Sequence, residues 1–367
     1  MSIDAGPEDE APPARDARSR RRQIIRSALS AALVVAIFVF VLPQVADFSE
    51  VWRNIRDMTW LEVSTLLAIS VWNLCTYGLL WMAALPGLTL AQAMVSTQAS
   101  TAVTNTVPGG SYISIGITYG MLYSWGFRRS IITLALLITG IWNNFAKLAI
   151  PVAALCALAL QGTVTTGRVF AAVSGFGALI AAVVLFALAL RTPGSAARIG
   201  NGSARVVSAL LRVIRRPPVE GWDIAVMRFR EKTIDLLRQR WQLITLTTIV
   251  SHLSLYLVLL MTLRHIGVSD ADVSWAEVLA VFSFARLVTA IPLTPGGVGV
   301  VELALTTGLT AAGGEESQVV AAVLVFRGLT YLLPVPIGAL CFIYARRNQS
   351  WRRPVTQSTP TDAVATA

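Results

Sequence analysis

The amino-acid sequence predicts an all-α, polytopic membrane helical bundle. Of its 367 residues, 55% are hydrophobic and only 14% are charged, whereas a soluble protein of this size normally carries roughly a quarter charged residues. Several apolar runs exceed the roughly 20 residues that are needed to cross a bilayer. Basic residues border these runs, as cytoplasmic segments do under the positive-inside rule. These observations predict a multi-pass membrane protein whose N- and C-termini are both cytoplasmic.

The net charge of +10 is concentrated in three basic segments, 15–26, 191–240 and 346–353. Aromatic residues that would stack on bases are sparse in these segments, so membrane orientation and anionic headgroups explain the charge better than nucleic acid does. We expect anionic inner-leaflet lipids to bind segment 191–240, and we expect no nucleic-acid partner. The sequence leaves homo-oligomerisation open.

The apolar pattern predicts six full spans plus two hairpins. The spans are expected at 29–45, 61–85, 131–160, 168–190, 242–263 and 317–344. Each hairpin is a pair of shorter arms interrupted by Pro-Gly-Gly, at 91–126 and at 277–312. With a cytoplasmic N-terminus, the two hairpins enter the membrane from opposite sides, which is the inverted-repeat arrangement of many transporters. Arms of about 17 residues reach roughly 25 Å, so the sequence leaves open whether they are re-entrant or full spans.

The chain divides into five segments on this basis. They are a disordered cytoplasmic tail at 1–26, a first membrane unit at 27–190, a basic amphipathic linker at 191–240, a second membrane unit at 241–345, and a disordered cytoplasmic tail at 346–367. Helices on the cytoplasmic membrane surface and a solvated helical hairpin both fit the linker. The three cysteines lack CxxC spacing and are expected to be buried small hydrophobes. The absence of metal and nucleotide motifs predicts no cofactor.

Ionised residues inside the apolar runs are the strongest functional candidates. Arg286 lies nine residues before Pro295 and Glu302 seven after it, so a hairpin bent at 294–297 places both at one depth. An intramembrane arginine costs roughly 2.5–3.5 kcal/mol, and an opposed carboxylate offsets part of this cost. Arg327 in the last span adds a second cation. We expect a polar chamber in which both guanidinium groups hold an anionic headgroup and Glu302 orients Arg286; the alternative is a structural ion pair.

Further candidates surround the two Pro-Gly-Gly bends. Gly296, Gly297 and Gly299 are expected to expose backbone amides at a helix start, where anions bind, although a simple tight turn also fits. The first hairpin and the span after it add less charged candidates, namely Asn105, Pro108, Gly109, Gly110, Asn144 and Lys147. Lys147 is a third cation of the same chamber or a snorkelling residue. The Gly116 and Gly120 pair favours close helix packing.

Three motifs resemble the lysylphosphatidylglycerol synthase transmembrane family, also called the flippase-like family. They are Arg286 followed by Pro-Leu-Thr-Pro-Gly-Gly-Val-Gly-Val-Val-Glu at 292–302, Phe-Arg-Gly-Leu-Thr-Tyr at 326–331 with Pro334, and Asn105 with Pro-Gly-Gly at 108–110. The resemblance implies a bacterial plasma-membrane protein that moves a lipid between leaflets. It nominates seven site residues, namely Arg286, Pro295, Gly296, Gly297, Gly299, Glu302 and Arg327. The synthase members carry a soluble aminoacyltransferase domain after the membrane part, and this chain ends in a short polar tail, so we expect no lysyl transfer from tRNA by this chain. The leading hypothesis is a protein that is not an enzyme.

The leading functional hypothesis is translocation of an anionic or glycosylated lipid through the polar chamber. A non-transport scaffold that recruits partners through segment 191–240 stays open, although the buried charges would then have no evident purpose. Two further alternatives also remain. One is a membrane glycosyltransferase that uses a polyprenyl-linked sugar, for which the scattered outer carboxylates Asp47, Glu50 and Asp57 make a poor metal site. The other is a small-solute secondary transporter, because inverted repeats are common in that class.

Overall fold

The computed structural model describes residues 48–107, 110–162, 166–191, 222–289, 294 and 297–353. All regular structure in these residues is helical, which confirms the predicted fold class. In chain order the helices are α1 (Phe48–Arg56), α2 (Trp60–Ala84), α3 (Leu90–Thr106), α4 (Gly110–Ser124), α5 (Arg129–Leu160), α6 (Thr166–Arg191), α7 (Trp222–Ile266), α8 (Trp275–Val288), α9 (Val300–Ala311), α10 (Glu316–Arg327), a π-helical segment (Gly328–Leu332) and α11 (Pro334–Arg347).

Four helical stretches are long and apolar enough to cross a membrane by length and composition. They are Trp60–Ala84, Arg129–Leu160, Phe229–Ile266 and Glu316–Arg347, and α6 adds the apolar stretch Val173–Leu188. Helices α2, α3 and α8 begin with capping boxes at Thr59, Thr89 and Ser274. In each, the hydroxyl accepts from the amide of the residue three positions later, and that residue's side chain accepts from the amide of the capping residue. The span predicted at 29–45 and residues 192–221 of the basic linker lie outside the described residues.

The ends of the helices gather on two opposite faces of the bundle. On one, the amide of Arg353 donates to the carbonyl of Ser124 (3.2 Å) and Lys232 donates to Ser130 (2.7 Å). Its charges are mainly cationic, and we call it the basic face; it includes Arg128, Arg129, Arg191, Arg230, Lys232, Arg346, Arg347, Arg352 and Arg353. The asymmetry with the other face is the kind that the positive-inside rule describes.

On the opposite face, the Asn54 amide donates to Ser317 (3.3 Å) and the Ser274 hydroxyl donates to Gln161 (3.2 Å). Carboxylates outnumber cations there, and we call it the acidic face; its carboxylates are Asp57, Glu62, Asp270, Asp272, Glu277, Glu315 and Glu316. At this face Arg264 forms an ion pair with Asp270, with 2.6 Å between Nη2 and Oδ1.

The two hairpins enter the bundle from these opposite faces and end inside it. Helix α3 starts and α4 ends at the basic face, whereas α8 starts and α9 ends at the acidic face. The tip of the first hairpin meets Tyr331, which lies midway along the last span, and Glu302 near the tip of the second contacts Arg327 one turn earlier. With 12 residues, α9 reaches only about 18 Å, well short of a bilayer core of about 30 Å. The other arms have 14 to 17 residues and reach about 21–26 Å, so all four arms are shorter than the core and have the lengths of re-entrant hairpins.

Close contacts hold the two arms of the first hairpin together and hold this hairpin against the last span. A Cβ atom on Gly110 would clash with the carbonyl of Val103, so only glycine lets the arms approach this closely. Similarly, a Cβ atom on Gly338 of α11 would clash with the carbonyl of Gln98 on α3. By contrast, nothing lies within 4 Å of where a Cβ atom of Gly116 or Gly120 would stand. The prediction that this last pair packs helices closely is therefore wrong within the described chain.

Two further predictions differ from the structure. The part of the predicted linker at 222–240 is not separate from the span after it, since α7 runs unbroken for 45 residues from Trp222 to Ile266 and carries the span at its C-terminal end. The cysteines are not fully buried either: Cys156 is exposed, and Cys75 and Cys341 are half-buried. In a membrane bundle the outer surface faces hydrocarbon, so an apolar cysteine gains little from the interior.

Candidate functional site

A cavity of about 310 Å³ lies between the two hairpin tips. Its walls include residues of α2, α3, α5, α7, α8, α9 and the last span, and the depth of Tyr331 places it near the middle of the bundle. Among the described residues that line it, three are cationic: Lys147 from α5, Arg286 from α8 and Arg327 from α10. The structure thus brings together the three cations that the sequence predicts to share one chamber.

Arg327 is held in place by a carboxylate and an aromatic ring. Its Nε donates to Glu302 Oε1 at 2.7 Å, and its guanidinium carbon lies 4.5 Å from the centre of the Tyr331 ring. The side chain of Glu302 is only 4% exposed, and its Oε2 accepts from the Gly299 amide at 2.8 Å. The prediction that Glu302 orients Arg286 is therefore wrong, because the carboxylate turns to the neighbouring helix α10 instead.

Arg286 is left without this kind of partner. Its Nε is buried and makes no hydrogen bond to any residue that the structure describes. A buried donor that has lost its water costs free energy until it is paired, and more so when it belongs to a charged group. Because Arg286 lines the cavity, an anionic ligand there would supply the missing acceptor.

The glycines of the second bend serve the turn itself. Gly297 and Gly299 have positive φ angles of 71° and 83°, which favour glycine. The Gly297 amide donates to the carbonyl of Thr294 at 3.1 Å, and the Gly299 amide donates to Glu302. Both amides are thus hydrogen-bonded within the chain. At Gly297 and Gly299 the tight-turn alternative is therefore correct, and the prediction that their amides bind an anion is wrong. Gly297 still lines the cavity, and Pro295 and Gly296 lie outside the described residues.

Asn105 joins the first hairpin tip to the last span in both directions. Its Nδ2 donates to the carbonyl of Tyr331 at 3.0 Å, and the Tyr331 hydroxyl donates to the carbonyl of Asn105. Both residues line the cavity. The π-helical segment places Tyr331 here: the Leu333 amide donates to Gly328 five residues back, just before Pro334 starts α11. Pro108 and Gly109 lie outside the described residues.

Of the remaining candidate residues, some line the cavity and others do not. Lys147 lines the cavity, whereas the side chain of Asn144 is exposed and donates to the carbonyl of Gly140 at 3.0 Å, away from it. His252 of α7, which the sequence places inside an apolar run, is buried, and its Nδ1 bonds the carbonyl of Thr248 at 3.0 Å. Sequence reasoning missed Tyr77 and Thr101, which line the cavity; a tyrosine within an apolar run was the available signal. Over the ranges described, no three His, Cys, Asp or Glu side chains cluster to hold a metal ion.

Two sequence comparisons relate this chain to known proteins. The model of the family described as lysylphosphatidylglycerol synthase TM region matches residues 23–338, and every described residue that lines the cavity falls within that range. A UPF0104 membrane protein of Methanocaldococcus jannaschii is 42% identical over 64 residues. That alignment covers 17% of this chain and 27% of the relative, so the chain matches well under two thirds of the relative's length.

Proposed function

The chain belongs to the lysylphosphatidylglycerol synthase TM-region family, and from this premise we propose that it moves an anionic or phosphate-linked glycosylated lipid between leaflets through the cationic cavity. The observation that carries the proposal is the buried Nε of Arg286, which has no hydrogen-bond partner among the described residues and lies in a cavity shared with Arg327 and Lys147. Charged residues at this depth are expensive, and in membrane proteins they mark substrate pathways.

The charge and size of the cavity favour a headgroup as the ligand. Glu302 compensates the charge of Arg327, and an anionic ligand would compensate the charges of Arg286 and Lys147. A guanidinium fork donates two hydrogen bonds to one phosphate. A volume of about 310 Å³ is at the low end of the roughly 300–1,000 Å³ of small-molecule sites. It suits a headgroup and not a whole lipid, so the acyl chains stay outside the cavity during the crossing.

The two hairpins are arranged to serve opposite leaflets. By the positive-inside rule the basic face is cytoplasmic, so in a bacterial plasma membrane the α3–α4 hairpin guards the inner side and the α8–α9 hairpin the outer side. The Asn105–Tyr331 and Glu302–Arg327 contacts attach both tips to the last span, on either side of Gly328. A shift within the π-helical segment would therefore change the position of one tip relative to the other.

Reconstitution into liposomes tests this proposal. Fluorescent phosphatidylglycerol in both leaflets is bleached from outside with dithionite, and the fraction that becomes accessible reports translocation. We expect wild-type protein to expose the inner-leaflet lipid and Arg286→Gln to lose most of this activity. Arg346→Gln, which removes an exposed cation at the basic face, is the matched control and should remain active.

Equal exposure by wild type and Arg286→Gln would contradict the proposal. So would uptake of a soluble phosphorylated solute without lipid movement, since that result would identify a secondary transporter that uses the same cations.

A further inference from the structure

A second, apolar groove of about 480 Å³ lies in the half of the bundle nearest the acidic face. It is formed by α5, α8 and α9, and its described lining includes Leu158, Val281, Phe284, Ala304 and Ala311. Phe284 and Val288 are exposed at its rim, so the groove opens to the surroundings of the bundle. For helices of this composition, those surroundings are lipid.

The groove spans the depth of one leaflet. Along α8 its lining runs from Glu277 in the first turn to Val288 at the last residue, a rise of about 16 Å. Half of the roughly 30 Å hydrocarbon core is about 15 Å. Glu277 stands at the outer end, where its carboxylate accepts from the amide and hydroxyl of Ser274. The groove thus extends from the level of the headgroups to the depth of the cationic cavity.

The inner end of the groove adjoins that cavity. Ala285 lines both spaces. The next residue, Arg286, lines the cavity, and its buried Nε makes no hydrogen bond within the described part of the chain. A molecule with an anionic end at Arg286 and a long apolar part would have its apolar part beside this groove.

We propose that the α5–α8–α9 groove binds one acyl chain of the same lipid whose headgroup Arg286 holds. This inference rests on the proposed function and specifies its substrate as a lipid with a hydrocarbon chain long enough to span one leaflet, taken up or released on the acidic-face side. An acyl chain is the occupant that the length, apolar lining and membrane depth of the groove all match.

Photo-crosslinking tests the proposal on the full-length protein in nanodiscs. The probes are phosphatidylglycerol and uncharged diacylglycerol, each with the same diazirine-bearing acyl chain, and mass spectrometry maps the labelled peptides. We expect phosphatidylglycerol to label 277–288 and 304–312 at least about tenfold more than diacylglycerol does, because only its phosphate is anchored by a charge-assisted hydrogen bond. Arg286→Gln should remove the difference between the probes.

Two matched variants separate the groove from the general lipid surface. Ala304→Leu enlarges a half-buried groove residue and should lower labelling by phosphatidylglycerol, whereas Thr307→Leu on the exposed side of α9 should leave it unchanged. Equal labelling by both probes, or labelling that Ala304→Leu does not lower, would overturn the proposal and identify ordinary annular lipid. If translocation is normal in that case, the groove alone is refuted. Headgroup-dependent labelling without translocation would instead support the acyl-chain site and refute the carrier function.

Discussion

Replacing Glu302 by glutamine should destabilise the protein far more than the same change at an equivalent capping position. Glutamine can still accept the Gly299 hydrogen bond, so the substitution removes mainly the negative charge that faces Arg327 at 2.7 Å. The two side chains are only 4% and 13% exposed. Breaking a buried pair by removing one partner costs about 3–5 kcal/mol, because the remaining charge is left uncompensated.

Thermal unfolding in detergent micelles, followed by intrinsic fluorescence, measures this effect. The control is Glu62→Gln, which alters the same kind of capping box at the exposed start of α2 and should lower the melting temperature much less, because water screens an exposed carboxylate. The double variant with Arg327→Met should recover part of the loss, since it leaves no buried charge unpaired. The reasoning is refuted if Glu302→Gln is no more destabilising than Glu62→Gln, or if the losses in the double variant simply add.

Three further outcomes are expected. Gly338→Ala should lower the free energy of unfolding by about 1–3 kcal/mol, because the added methyl group pushes α11 away from α3. The control Gly116→Ala places a methyl group in open space and should be neutral or slightly stabilising in the same melting assay. Tyr331→Phe should cost about 1 kcal/mol and slow lipid movement in liposomes, because the first hairpin loses one of its two bonds to the last span; an unchanged rate would refute this role. At the acidic face, hydrogen bonds from the Ser269 hydroxyl and amide hold the pKa of Asp272 below its ordinary value. Wild type should therefore be more stable than Asp272→Asn above that ordinary pKa and should lose this advantage as the pH falls through the lowered pKa. A difference in melting temperature that does not change with pH would contradict this.

Much of the architecture could be predicted from local sequence features. Apolar length and Pro-Gly-Gly breaks indicated the long helices and the two hairpins, because the span of a bilayer and the missing donor of proline act within a few residues. The shared depth of Arg286, Arg327 and Lys147 also follows from counting residues along their helices.

The pairing inside the site could not be predicted in this way. Counting places Glu302 level with Arg286, but the direction of each side chain depends on how α9 is rotated against α10, and that rotation selects Arg327. The reciprocal Asn105–Tyr331 contact joins residues that are 226 positions apart. It also depends on a π-helical segment that no local pattern in the sequence announces. Such details come from packing between helices.

The most direct test of the account is an experimental structure of the protein in nanodiscs that contain phosphatidylglycerol. We expect phosphate density within hydrogen-bonding distance of the Arg286 guanidinium, in the cavity that Arg327 and Lys147 also line. Headgroup density confined to the two faces, with Arg286 paired to a protein carboxylate or in contact with acyl chains only, would contradict it.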